Sequence, residues 1–480
     1  VSRPSVVVVG GGISGLAAAW ELSGAEAGPD DSTPRVEVIE AEGRFGGSLA
    51  TTTFAERVID LGADGFLARR LEAVTLVREL GLGEELEAID ASGASMWLRG
   101  ALHELPGGLV LGVPTSPQAI LRFRGLSWRA RLAARRDVLL PKRMLVGDDA
   151  TIGEIVRTKL GRELAYHFIE PMIGGIQAGR IDELSAKSVF PALFDAARKG
   201  GSLMKALRAS LPLDASEGAT ALRDPVFYSF KRGVGALPEE LVMRLRERGV
   251  VLRHGVSVNA LRRTPAGDYP WEVDTFNTTT PANAVILATP APVAGALLGS
   301  LDPAIDELRQ IESAGAAMVT FCVASSDITL PPHGTGILVP LHTHWSGEGS
   351  MMVTAVTLLD RKWPHLRRDD ETLLRAHVGR SDDTRWLELT DEELVRRVRS
   401  ELAVLLPRFA EPSASLVQRW PLGLPQYVRG HELRVQRARA AGARFSVALA
   451  GNAYDGVGIP ASIGSGRHAA REVLELLRHS

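Results

Sequence analysis

Six residues, Gly10-Gly11-Gly12-Ile13-Ser14-Gly15, carry the first chemistry that can be read in this chain. They follow the β-branched run Ser5–Val9 and precede residues 16–22 at helical spacing, so they join a buried parallel strand to a helix. Gly10 permits a tight turn, Gly12 lets the backbone approach a pyrophosphate, and Gly15 lets helix and strand pack closely. The helix N-terminus then offers unpaired N–H groups and a partial positive charge to phosphate. A second strand, Arg35–Ile39, ends in Glu40, placed where a carboxylate would hydrogen-bond a ribose hydroxyl. A lone glycine pattern is weak; strand, helix and acid in this order predict a dinucleotide site.

Glycines recur near the other end. In the stretch 451–460, GNAYDGVGIP, those at 451, 456 and 458 let the backbone run close beside an aromatic ring system. A last helix is expected over 463–477. Between the two ends, residues 23–34 read as a surface loop, and 71–80 and 82–89 as helices split by Gly81. From 99 to 143 apolar, proline-rich pieces alternate with Arg122, Arg124, Arg129, Arg131, Arg135 and Arg136. Helical patterning continues to about residue 211, and 214–224 is polar and turn-rich. A helix from 233 to about 248, strand residues at 250–252 and 256, a buried strand at 284–288 and a helix at 391–406 follow.

The chain's 480 residues predict about three domains or one composite fold. Lys plus Arg is 55 against 57 for Asp plus Glu, a net charge of −2 that provides no field for nucleic acid. No segment reaches the roughly 18 uninterrupted apolar residues of a membrane span. The first apolar run ends at once in glycines and reads as a strand rather than a signal peptide, so a cytoplasmic protein is expected. Cys322 is the one cysteine, expected as a buried strand thiol in a reducing compartment. His342 and His344 are the only closely spaced histidines, and a solvated loop is the expected reading; no metal site is expected.

Residues 40–47, EAEGRFGG, resemble the continuation of the dinucleotide motif in the FAD-dependent amine oxidase and protoporphyrinogen oxidase superfamily. Residues 451–463, GNAYDGVGIPASI, resemble the tail of the oxygen-dependent protoporphyrinogen and coproporphyrinogen III oxidases of haem synthesis. So do 60–66 (DLGADGF), 169–179 (IEPMIGGIQAG), 184–191 (LSAKSVFP) and 420–430 (WPLGLPQYVRG). The likeness spans essentially the whole chain, in order. LHELPGGLVLGVPTS (102–116), GTGILVP (334–340), KWPH (362–365) and TLLRAHVG (372–379) resemble the soluble bacterial branch acting on coproporphyrinogen III. Two departures stand out. Ala63 replaces the family's usual proline, which should alter loop stiffness only. Gln177-Ala178-Gly179-Arg180 replaces Tyr-Ala-Gly-Asp, and Arg180 is expected to pair with Asp182 rather than bind substrate carboxylates.

The resemblance implies an α/β fold: a Rossmann-type FAD-binding domain from discontinuous segments (1–72, 220–300, 440–480), an α+β substrate domain (73–98, 301–439) and a mostly helical insertion (99–219). It puts FAD contacts on Gly10, Gly11, Gly12, Ile13, Ser14, Gly15, Glu40, Ala41, Arg44, Gly46, Gly47, Gly62, Ala63, Asp64, Gly65, Val256, Trp420, Val457, Gly458 and Ile459. By the same resemblance Gly175 and Ile176 would lie opposite Gly62–Gly65 across the ring. The last helix would stabilise the charge of a reduced flavin. Asp64 is the candidate polar group near the reacting edge, with capping of a turn an equal alternative. Arg69 and Arg70 are candidates for binding propionates, or solvated helix-face charges.

The implied reaction is oxidation of a porphyrinogen to a porphyrin in three two-electron rounds, with dioxygen as acceptor and hydrogen peroxide as product. Coproporphyrinogen III is the first reading and protoporphyrinogen IX the second. Residues 99–143 read as a solvated lid, with weak peripheral membrane contact as the alternative. A transient contact with the next haem-pathway enzyme is a further expectation. The rivals are an amine oxidase, disfavoured because aromatic residues are 5% of the chain and Tyr454 lacks an obvious aromatic partner, an isoprenoid desaturase, and a carrier binding FAD or porphyrin without turnover.

Overall fold

The computed structural model describes residues 3–24, 30, 33–90, 93–139, 146–210, 225–264, 269–345 and 349–479. The expected polar stretch at 214–224 lies outside them.

Val6, Val7 and Val8 are wholly buried because Ser5–Val9 has a parallel strand on each side and helices on both faces. Five parallel strands form this sheet, in the spatial order Val251–Arg253, Arg35–Ile39, Ser5–Val9, Ala284–Leu287, Val447–Leu449. In chain order that is 3-2-1-4-5, the doubly wound arrangement. The strand order reverses at Ser5–Val9, so the crevice at the end of that strand is where such sheets place a ligand. The glycine run begins there.

The first helix, Ile13–Leu22, packs along the last, Ile459–His479. The approach is close enough that a Cβ on Gly466 would stand 2.0 Å from the Ser14 carbonyl oxygen. Ile13, Leu16, Ile459 and Ile463 share one core with Leu49 and Phe66, so the two ends of the chain meet. Ala73, Val74, Leu76 and Val77 of the helix Leu71–Glu79 bury into that same core.

A second sheet has seven strands, ordered Ala414–Pro425, Ser313–Ala324, Glu371–Val378, Val353–Leu358, Gly336–Leu338, Ser95–Leu98, Ala101–Glu104. All neighbours are antiparallel except Gly336–Leu338 with Ser95–Leu98. The hairpin of the last two strands crosses position 98/99, so residues 101–104 extend this sheet. Cys322 lies wholly buried in its longest strands, as expected. A helical segment with its own core, including Ile152, Ile155, Phe168, Ile173 and Phe194, packs against this sheet at Met96, Leu98 and Leu338. Among the described residues no helix is long and apolar enough to cross a membrane.

Local expectations differ from the structure in four places. Residues 82–89 were spaced for a helix, but form a 3-10 turn, Gly83–Glu85, and the strand Leu86–Ala88, which pairs with Phe227–Phe230. A partner 140 positions away outweighs local spacing. The last helix begins at Ile459, four residues early, because Pro460 is tolerated in a first turn where no N–H partner is needed. Val256 follows the positive-φ Gly255 and lies outside a strand, its N–H instead donating to the Glu40 carbonyl at 2.9 Å. Arg180 pairs with Asp382 at 3.5 Å, not with Asp182, whose carboxylate is taken by Arg157 and the Tyr166 hydroxyl.

Candidate active site

The glycine run turns because Gly10 adopts φ +106°, where a Cβ would meet the Ala288 carbonyl at 2.5 Å. Gly15 is fixed harder still, its Cβ position lying 1.9 Å from the Gly10 oxygen. Gly12 is different: a Cβ there meets no atom within 4 Å, so its face is open. The first helix has no side-chain cap and no acidic residue in its first turn. Its first-turn N–H donors are therefore left without a capping side chain beside that opening.

The second motif closes on the first. The Gly46 N–H donates to the Gly11 carbonyl at 2.8 Å, and Gly12 and Gly46 form a parallel bridge. Gly47 lies against the Gly12 Cα, and the Arg44 guanidinium holds the turn by donating to the Gly47 carbonyl at 2.6 Å. Glu40 accepts the Gly11 N–H at 2.5 Å and the Glu42 N–H at 2.8 Å, so its carboxylate stiffens the glycine run. Ala41, Arg44 and Gly47 are exposed along this edge.

Gly62–Gly65 is threaded between side chains. A Cβ on Gly62 would stand 2.5 Å from the Ser48 oxygen, and one on Gly65 2.8 Å from the Trp363 ring. Trp420 Nε1 donates to the Leu61 carbonyl at 3.0 Å and its ring borders Gly62. Ala63 is exposed and Asp64 is half-buried.

Behind this loop lies a charged cluster that the glycine pattern did not announce. Lys362 Nζ donates to Asp64 at 2.7 Å, with side-chain exposures of 17% and 18%, and Trp363 Nε1 donates to the other carboxylate oxygen at 3.2 Å. Asp64 is therefore an ion-pair partner, not a turn cap. Arg375, 2% exposed, donates to the Asp60 carbonyl oxygen, to the Gly62 carbonyl at 3.4 Å and to Thr320 Oγ1 at 3.1 Å. His377, two residues on and so on the same sheet face, bonds Thr357 Oγ1 at 3.0 Å. Lys362 stands in the KWPH segment read above only as a branch marker; Arg375 and His377 alternate within the strand Glu371–Val378, a pattern that sequence alone assigns to no site.

The two carboxylates of the cluster are driven apart. Burial pushes Asp64 up, but the Lys362 ammonium, its hydrogen bond and Arg375 outweigh it and hold the carboxyl at about 2. Asp60 is raised to about 7 by burial and then by the Asp64 charge, against the Val234 N–H and Arg375. Burial and Arg375 lower His377 to about 4, so its imidazole is neutral at ordinary pH.

The C-terminal glycines bend as required: Gly451, Gly456 and Gly458 have φ +137°, +116° and +98°. A Cβ on Gly458 meets nothing within 4 Å, a second open face. Val457 is half-buried and Ile459 buried in the core that also holds Ile13. Gly175 and Ile176 are exposed near the end of the helix Glu170–Gln177, whose Gln177 carbonyl accepts from the Gln426 side chain at 2.9 Å. Arg69 and Arg70 are exposed, and Arg70 is spent on Glu72 at 2.8 Å. The open glycine faces, the uncapped helix and the threaded loop fit an elongated dinucleotide bearing an aromatic ring.

A family model for flavin containing amine oxidoreductases matches residues 13–474. The chain is 33% identical to the coproporphyrinogen III oxidase of Bacillus subtilis, with 99% of each covered. It is 29% identical to the protoporphyrinogen oxidase of Bos taurus, with 98% of each covered. A crystal structure of a protein from Exiguobacterium sp. 255-15 superposes with a TM-score of 0.85 at 31% identity, covering 99% of both chains. The expected cofactor class and oxidoreductase class agree with these likenesses. The chain belongs to the family of flavin containing amine oxidoreductases.

Proposed function

We propose that this protein oxidises coproporphyrinogen III to coproporphyrin III, with FAD as cofactor and dioxygen as final acceptor, releasing hydrogen peroxide. The observation that carries the reading is the end-to-end identity with coproporphyrinogen III oxidases, reached over a chain whose glycine faces suit FAD. A bound flavin supplies the two-electron acceptance that each of three oxidation rounds needs.

The chain's own residues bind and orient. The first-helix donors and the Gly10–Gly15 turn hold the pyrophosphate, and Glu40 faces the ribose from the end of its strand. Gly62, Ala63, Asp64 and Gly65 would border the flavin ring, with Gly175 and Ile176 as the opposing wall. Val457, Gly458 and Ile459, with the start of the last helix, would stabilise negative charge on a bound flavin. Asp64 stays ionised because Lys362 neutralises it at 2.7 Å, so this edge carries a fixed dipole rather than a titrating acid. A porphyrinogen's pyrrole nitrogens stabilise the cation left by hydride loss, so the protein's task is positioning rather than nucleophilic attack. Arg69, exposed and close in sequence to this loop, is the remaining candidate for a propionate, whereas Arg70 is engaged by Glu72.

Aerobic turnover of coproporphyrinogen III and protoporphyrinogen IX, side by side and read as porphyrin fluorescence, tests the reading. Faster appearance of coproporphyrin is expected. A flavin-loaded protein that converts neither overturns it.

A further inference from the structure

Tyr427 lies just beyond the seven-stranded sheet, yet its side chain belongs to the C-terminal glycine loop. Its hydroxyl donates to the Asn452 carbonyl oxygen and accepts the Gly456 N–H at 2.8 Å, so one oxygen closes both ends of the 452–456 turn. The ring is 3% exposed and stacks on His431 with centroids 4.0 Å apart and planes 15° from parallel. Burial lowers His431 to about 4, so the stacking partner is a neutral ring. Burial likewise pushes the phenol well above its ordinary range, keeping the hydroxyl a donor. The Tyr427 carbonyl meanwhile accepts the Ser185 N–H at 2.8 Å, tying the same residue to the helical segment.

Within the turn, the Gly456 N–H is the group that the Tyr427 hydroxyl holds. Gly456 and Gly458 have positive φ and no side chains, so many backbone paths are open to them. Asp455 is anchored by Arg439 at 2.9 and 2.5 Å and by the Ser465 hydroxyl, which leaves the Gly456 peptide plane to Tyr427. That plane aims the chain at Val457, Gly458 and the first turn of the last helix.

We propose that Tyr427, stacked on His431, is a positioning residue that aims the 456–459 backbone at the flavin and so sets both flavin affinity and reduction potential. The inference rests on the reading above that 457–459 border the ring. Donors aimed at the pyrimidine edge favour the reduced, more negative flavin over the oxidised one. Loss of their alignment must therefore weaken the reduced form more.

The test uses full-length protein loaded with FAD. Tyr427→Phe keeps the ring and the stack and removes both hydrogen bonds. Expected are about ten-fold weaker FAD binding on titration of the apoprotein and a potential lowered by about 30 mV, the equivalent of a ten-fold preferential loss of the reduced form for a two-electron couple. His431→Ala, which unstacks the ring but leaves the hydroxyl, should shift both in the same direction by less, and carries the test should Tyr427→Phe not fold. A loaded Tyr427→Phe protein with wild-type affinity and potential overturns the clamp. A wild-type protein that takes up no FAD overturns instead the reading on which the clamp rests.

Discussion

The glycine run 10–15, proposed above to hold the phosphates, and the cluster behind Gly62–Gly65 are built from opposite materials. In the glycine run the groups on offer are backbone N–H dipoles, and the residues are mostly glycines chosen for what they lack. Behind the loop the groups are whole charges, Asp60, Asp64, Lys362 and Arg375, brought together across about 300 positions of chain. Fixed dipoles bind an anion at any pH, whereas buried charges must be balanced against one another and remain sensitive to protonation. A backbone site should fail sterically and all at once; the cluster should fail by degrees, in stability, pH response and rate.

The largest expected effect follows from the first half of that contrast. Gly15→Val places atoms where the Gly10 carbonyl already stands 1.9 Å from a Cβ, so strand and helix must separate. FAD binding should fall by more than about 100-fold, roughly the loss of several phosphate hydrogen bonds. Visible flavin absorbance of the purified protein reads it directly. A yellow, fully loaded variant would mean that the glycine run does not hold the cofactor.

The fold of that glycine run was legible in the sequence because its cause is local. A strand, three spaced glycines and a helix occupy adjacent residues, and the resulting sheet order follows from right-handed crossovers. The C-terminal loop was legible for the same reason, and its positive φ angles fall on glycines 451, 456 and 458. The cluster was not. Asp64 could be singled out from its loop, but nothing in the spacing of Lys362, Arg375 and His377 joins them to it until two strands and a helical turn are packed together. The failure at 82–89 has the same origin, a distant strand overriding apolar spacing. Arg180 shows it too, taking Asp382 because Arg157 already holds the nearer Asp182.

Next in size is Arg375→Met. The substitution keeps volume but leaves the carbonyls of Asp60 and Gly62 and the Asp60 carboxylate without their buried cation. Breaking such an interaction costs about 3–5 kcal/mol, to be read by denaturant unfolding. A change below about 1 kcal/mol would show that the cluster is dispensable for the fold.

Asp60 then separates charge from packing. Its folded pKa, about 7, lies above its ordinary value of 3.8. Between pH 4 and 7 the folded protein keeps a proton that the unfolded chain has released, so this group lowers stability as pH rises through that window. Asp60→Asn removes the dependence while its amide oxygen can still accept the Val234 N–H. Relative to the parent, the variant should gain about 2–4 kcal/mol at pH 8 compared with pH 5. Glu170, raised to about 7 by burial against Arg380, contributes a slope of the same sign, so a shallower but surviving dependence is the expected result. An unchanged slope would place the titration elsewhere.

The smallest effect is the one that bears most closely on chemistry. Lys362→Met removes the ammonium that, with its hydrogen bond, outweighs burial at Asp64. The Asp64 pKa should then rise from about 2, while Trp363 and Arg375 still favour the charged form. Because the pair retains 17% and 18% exposure, water replaces part of what is lost, and the fold should survive with a change of about 1 kcal/mol. The rate is more exposed to the change, since on the proposed reading an uncompensated carboxylate would stand beside the flavin's reacting edge. A fall of about ten-fold in kcat/KM, worth about 1.4 kcal/mol, is expected, with the acid limb of the pH–rate profile moving upward. Lys362→Arg, which can still pair with Asp64, should recover most of it. If both variants keep the parent's rate and profile, Lys362 and Asp64 form a surface ion pair with no part in the reaction, and the cluster's influence ends at Arg375.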